Sequence, residues 1–418
     1  GFYTLGIDAG VVASALIYIT FKLSPIGYAL IVSSTGAFAG IGALLSGPLV
    51  DKFGRKALLI ADGVIFAIFS LTSALAVNEI MLIISRVAIG FGIGLDYAVS
   101  PVFISEFAPA DKRGPLNTVE HLMLFLGTLS ALIVGLVFSF FPRAVAWRWM
   151  FGVGAIPAII LIILRFWIPE SPRWLVARGK IEEAKKSLKR IHVILNGKII
   201  DVTKEKPLVQ PLVKRAAVIV GFWVFFAIAS GINVILYYGP YIWKYLGLVG
   251  SKAILVSLII DSVGLGGYAL AFFTIDKGVR RLSALGFAGL FIGMALTAIG
   301  GIYSTILLGL TIIFIGIVIF EFSFQALGNV EVVLLGTVFP TQRRGLGSGI
   351  GAAIAWFSSF FITLIFPLWL KAYGFTSFAT LEAIIALAGL IWTLLLLPEL
   401  KGVPLEAVNI KYSGKAKV

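Results

Sequence analysis

The chain has 418 residues, 59% of them hydrophobic and 13% charged, with a mean hydropathy of +1.04. No soluble globular protein needs that much apolar surface, so the class is an all-α polytopic membrane protein. The net charge of +14 falls in short loops between apolar runs, which ties it to membrane orientation and argues against nucleic acid as a partner.

A helix needs about 20 apolar residues to cross a bilayer. Read with that window, the chain predicts twelve spans, at 3–21, 27–50, 57–77, 80–108, 115–141, 147–168, 214–243, 252–275, 282–301, 304–335, 346–370 and 376–397. Gly1 already borders the first run and no initiator Met precedes it, so no targeting signal can be judged. Alternate loops are basic: Asp51 to Lys56, Lys112-Arg113, the stretch 169–215, Lys277 to Arg281, Arg343-Arg344, and the tail with Lys411, Lys415 and Lys417. By the positive-inside rule these loops and both termini are cytoplasmic, and the expected location is the plasma membrane. The one sizeable polar insertion, 169–213, holds Ile181 to Ile191, where Ile181, Ala184, Leu188 and Ile191 share a face and predict an amphipathic linker helix. It divides the chain into six-helix units at 1–168 and 214–397, followed by a tail at 398–418.

The two units repeat. Asp51-Lys52-x-x-Arg55-Lys56 recurs as Asp276-Lys277-x-x-Arg280-Arg281, and Phe107-Ala108-Pro109 with Arg113-Gly114 recurs as Val338-Phe339-Pro340 with Arg344-Gly345. Pro169-Glu170 recurs as Pro398-Glu399. Each pair sits at the same place in its half, which predicts two pseudo-symmetric bundles around a central cavity, the build of an alternating-access carrier.

Several motifs are more specific. They are Gly47-x-x-x-Asp51-x-x-Gly54-Arg55-Lys56, Arg86-x-x-x-Gly90-x-x-x-Gly94, and Pro101-x-x-Ile104-Ser105-Glu106-x-Ala108-Pro109 with Arg113-Gly114. To these are added Pro169-Glu170-Ser171-Pro172-Arg173-Trp174-Leu175, Gly231-Ile232-Asn233 with Tyr237-Tyr238, and Pro398-Glu399-x-Lys401-Gly402. In this order the chain resembles a major facilitator superfamily transporter, most like the sugar porters. The resemblance implies proton coupling at Asp8, paired with Arg86, and substrate contacts from His121, Asn233, Tyr237, Tyr238 and Trp356. It also implies a cytoplasmic salt-bridge gate of Asp51, Arg55, Glu106, Arg113, Glu170 and Arg173 in one half and Arg280, Arg344 and Glu399 in the other.

The chain departs from that family at the pocket. Ala227-Ile228 stand where the family has a Gln pair, His121 stands for a span-five Gln, and Val332 and Thr337 for a span-ten Trp and Glu; Ala355 replaces a span-eleven Asn. Unpaired buried polar groups cost about 1–3 kcal/mol each, so these losses point away from an ordinary hexose pocket. Gly94-Leu95-Asp96-Tyr97 instead resembles the span-four segment of phosphate–proton symporters, which adds Asp96 as a proton-coupling candidate and Tyr97 as a substrate contact.

Ionisable residues inside spans are functional candidates by default. Burial penalises the charged form of Asp8, which suits reversible proton binding. Arg86 keeps its charge and needs a carboxylate partner. Asp96 lies ten positions along the same helix, about 15 Å away, so it either has another partner, His121 being one, or titrates alone. Glu120 and His121 point about 100° apart; if His121 faces the cavity, Glu120 faces a neighbouring helix or the cytoplasmic end. Asp261, Glu321 and Glu331 are unassigned cavity candidates, and Tyr241 and Trp243 add aromatics to either a gate or the lipid boundary.

The expected function is proton-coupled symport of a sugar or related polyol by a monomer in the lipid bilayer. The alternatives are a proton-coupled carrier of phosphate or a small organic anion, and a transporter-like sensor without flux. No cofactor is expected beyond the coupling proton: there is no phosphate-cradling loop or nucleophile–base pairing, and zero cysteine with two histidines gives no metal-ligand cluster. An enzyme is not expected.

Overall fold

The computed structural model describes residues 1–107, 113–195, 214–275, 278–337 and 344–399, and among them the secondary structure is helical without strands. The first half contains α1 (Phe2–Ala15), α2 (Pro25–Phe53), α3 (Arg55–Ala74), α4 (Glu79–Phe107), α5 (Arg113–Phe138), α6 (Arg143–Val153) and α7 (Ala155–Trp167). The linker carries α8 (Pro172–Ala177) and α9 (Ile181–Leu195). The second half contains α10 (Lys214–Ala229), α11 (Ile232–Tyr245), α12 (Ser251–Thr274), α13 (Val279–Ile302), α14 (Leu307–Thr337) and α15 (Arg344–Leu396).

Ten stretches are long and apolar enough to cross a membrane, with α6–α7 and α10–α11 each making one of them. The shorter α1 adds a span, and α15 turns back at Gly374, whose φ of +79° breaks the helix, so it crosses twice. Among the described residues this matches the predicted twelve spans. Their outward faces are apolar, with Leu307 80% and Phe273 74% exposed, as a hydrocarbon solvent requires.

Packing repeats between halves. In the first, α2 packs on α4 and α3 on α4 and α7; in the second, α12 packs on α14 and α13 on α14 and α15. The halves meet where α2 touches α15, where α5 touches α12 and where α1 touches α11. Helices approach closely where glycine removes the side chain. A Cβ on Gly6 of α1 would lie 1.8 Å from the Leu124 carbonyl oxygen of α5, and one on Gly127 2.2 Å from the Tyr3 carbonyl oxygen.

The linker differs from expectation in detail. In α9 the buried residues are Ala184 and Ser187, whose Oγ donates to the Glu170 carbonyl at 2.6 Å, while Ile181 is 53% exposed. The hydrogen bond turns the helix so that the serine, not the predicted isoleucine, faces the bundle.

Candidate functional site

A cavity of about 810 Å³, counting its open mouth, lies where the halves meet. The first half supplies Leu5 and Ala9 from α1, Tyr97 from α4, and His121, Leu124 and Phe125 from α5. The second supplies Ile228, Ile232, Asn233, Leu236 and Tyr237 from the α10–α11 span and Tyr268 from α12. Phe324, Gln325, Gly328 and Glu331 come from α14, and Ala355, Trp356 and Ser359 from α15. The lining is apolar with a few convergent polar groups, the usual make-up of a small-molecule site. Of the expected substrate contacts, Tyr97, His121, Asn233, Tyr237 and Trp356 line it. Tyr238 does not. Its hydroxyl donates to the Thr363 carbonyl at 3.1 Å and its ring packs 5.0 Å from Phe366, because the helix turns it about 100° away from Tyr237.

Beside the cavity, Arg86 of α4 grips Asp8 of α1. Its Nη1 donates to Asp8 Oδ1 at 2.5 Å and its Nη2 to Asp8 Oδ2, a two-pronged pair in which both residues are buried. Such a planar fork matches a carboxylate, and the pair is neutral as a unit. Tyr237 reaches it from the second half, close enough to feel both charges.

Asp96 has a different partner from the one expected. Arg165 of α7 donates through Nη2 to Asp96 Oδ1 at 2.5 Å and through Nη1 to Asp62 Oδ2 of α3 at 3.0 Å, and also to the Leu59 carbonyl. Ser100 Oγ adds a contact to Asp96 at 3.3 Å. This triad sits inside the first half, and Asp96 is absent from the cavity lining. His121 is not its partner; that ring packs against Phe2 at 5.4 Å and edge-on to Tyr97 at 6.4 Å. Glu120 is buried on the face toward Asp96, away from the cavity. Asp62 and Arg165 went unnoticed in the sequence, although each carries a charge within an apolar run, the signal that singled out the others.

In the second half Gln325 Nε2 donates to Glu321 Oε1 at 2.5 Å, with Asp261 buried nearby against a small void beside Trp243. Glu331 lines the cavity itself. Glu382 on the last span, also unnoticed, is fully buried; neither oxygen has a hydrogen-bond partner among the described residues. It lies against Gly231, whose φ of +106° separates α10 from α11.

At the end of the bundle carrying α8 and α9, Arg55 and Glu106 form an ion pair at 2.9 Å. Glu170 instead accepts the Arg55 and Lys56 backbone N–H groups at 3.1 Å, holding the start of α3, where the helix dipole favours a negative charge. Its repeat partner Glu399 lies correspondingly against Gly278 at the start of α13. Asp51 forms no ion pair among the described residues. Its side chain is exposed and its carbonyl receives Arg178 and the Trp174 indole. Arg280 donates to the Leu394 carbonyl. The side chains of Arg113, Arg173 and Arg344 lie outside the described residues.

At the opposite end the two halves also touch. Tyr28 of α2 meets Tyr241 of α11 at 5.1 Å between ring centroids, and Glu79 of α4 holds the Ser24 backbone N–H at 2.9 Å at the start of α2.

The family described as sugar (and other) transporter matches residues 8–412. A D-xylose transporter from Levilactobacillus brevis is 32% identical over 389 residues, covering 88% of this chain and 84% of that one. The glucose transporter GlcP of Staphylococcus epidermidis is 30% identical over 421 residues, covering 97% and 93%. The solved structure of the proton:xylose symporter XylE bound to 6-bromo-6-deoxy-D-glucose superposes with a TM-score of 0.80 at 25% identity, covering 98% of this chain and 96% of that one.

Proposed function

The chain belongs to the sugar (and other) transporter family, and on that footing we propose that it is a proton-coupled symporter of a sugar or related polyol. The observation that carries this reading is the Asp8–Arg86 pair beside a central cavity built from both halves. A proton on Asp8 removes one charge of the pair and weakens the tie between α1 and α4. The first half is then free to rock against the second along the α2–α15 and α5–α12 seams. The substrate sits in the cavity between them, so access alternates around a fixed site.

The carrier works as a monomer in the plasma membrane, with both termini and the α8–α9 linker in the cytoplasm; residues 1–168 and 214–397 move as the two bundles. In this reading Arg55–Glu106 and the neighbouring charges steady the cytoplasmic end, and Tyr28–Tyr241 closes the outer one. The anion alternative finds less support. Asp96 is committed to Arg165, and the charge lining the cavity is the carboxyl of Glu331, which repels anions.

The test is uptake of radiolabelled sugars into proteoliposomes with an imposed pH gradient. Inward proton-driven accumulation is expected, and Asp8→Asn should abolish accumulation while leaving sugar exchange. Accumulation that ignores the gradient, or that survives Asp8→Asn, would overturn the coupling scheme. Uptake of phosphate without sugar would overturn the substrate class.

A further inference from the structure

Glu331 reaches the cavity from α14 and is 4% exposed, and its Oε1 has no hydrogen-bond partner among the described residues. Tyr97 faces the carboxyl from α4 across the cavity, its hydroxyl near enough to interact with one side of it, while Oε1 is left over. Among the other polar groups of the lining, Asn233, Gln325 and Ser359 carry no charge, and the His121 ring packs against Phe2 and Tyr97. Around them stand aromatic rings: Tyr97 edge-on to Trp356 at 5.6 Å, and Phe125 against Tyr268 at 5.5 Å. Where neutral hydroxyls would find a Gln pair in a sugar porter, this chain has Ala227 and Ile228.

A lone carboxylate in an apolar cavity is costly until something positive or donor-rich meets it. A hydroxyl offers one neutral donor, whereas an ammonium group offers three donors and a full charge. Aromatic faces attract the same cation. Resting on the sugar-porter reading above, we infer that the substrate is a sugar or polyol bearing a protonated amino group, with Glu331 as its counter-ion and the aromatic rings as its walls. Glu331 is thus the residue that sets specificity. The Asp8–Arg86 pair, which is already neutral, has no part in reading the amine.

The experiment is a titration of the purified full-length protein, following tryptophan fluorescence, with D-glucosamine, D-glucose and N-acetyl-D-glucosamine at a pH where the free amine is protonated. Glucosamine should bind about ten- to a hundredfold more tightly than the two neutral sugars, the factor expected from a hydrogen bond to a charged group. Within the Glu331→Gln variant glucosamine and glucose should bind within a few-fold of each other, with the preference intermediate in Glu331→Asp; a cooperative melt in each variant shows that it is folded. Equal binding of glucose and glucosamine by the wild type, or a preference that survives in Glu331→Gln, would overturn the inference while leaving the sugar-porter reading intact. Failure of all three sugars to bind a cooperatively melting wild type would overturn both.

Discussion

Arg165 is shared by two carboxylates, Asp62 and Asp96, and all three side chains are buried. Removing one member of a buried ionic group leaves the others uncompensated, at a cost of about 3–5 kcal/mol. Arg165→Met should therefore lower the thermal unfolding midpoint in detergent sharply, and adding Asp62→Leu and Asp96→Leu to it should recover most of the loss. An Arg165→Met protein that melts like the wild type would show that the triad is no structural tie. Asp8–Arg86 was legible in the sequence because the sugar-porter resemblance pairs those two positions. The triad was not, because apolar periodicity reports how far a helix extends and not which helix it faces. The sequence leaves Asp96 either with His121 or alone, and the partner comes instead from the sixth span. Tyr238 was misread for a related reason: adjacent aromatic residues on a helix cannot both face one cavity.

The seventh span shows the limit of hydropathy at the scale of an element. Residues 214–243 read as one continuous run, yet Gly231 takes a left-handed φ of +106° and divides it into α10 and α11. A side chain there would be strained by about 1–2 kcal/mol, and its Cβ would lie 2.6 Å from Glu382 Oε2. Gly231→Ala should consequently slow sugar uptake several-fold, with a modest loss of stability, if α11 with the cavity-lining Asn233 and Tyr237 moves about this break during transport. Unchanged initial uptake rates in that variant would show that the break is not used. The Gly231-Ile232-Asn233 motif marked this segment as substrate-binding but gave no sign of its shape, because a glycine in an apolar run reads equally as close packing.

The architecture of the whole molecule was the most legible part. Twelve apolar runs and paired loop motifs predicted the spans and the repeat, and Glu170 and Glu399 do occupy matching places at the starts of α3 and α13. The cytoplasmic charge network was less legible, since motif residues such as Glu170 and Arg280 spend their bonds on backbone groups. The seam between halves permits a direct test of rocking, made clean by the absence of native cysteine. A Cβ on Gly36 of α2 would lie 3.4 Å from Phe360 Cα of α15, within reach of a disulfide. The Gly36→Cys/Phe360→Cys double variant should cross-link on oxidation and lose uptake until reduced; full transport by the cross-linked form would show that this seam does not open.

The coupling pair Asp8–Arg86 lies wholly in the first half, whereas the break at Gly231 lies in the second. On the proposed scheme a proton arrives in one half while the bend belongs to the other, with Tyr237 and the cargo itself spanning the gap. The tightness of the exchange between ion and cargo is thus not built into either bundle. The proposed scheme therefore predicts that the empty carrier passes some protons without work, which is checked by comparing proton flux in liposomes with and without sugar; no flux without sugar would show that the coupling is tight.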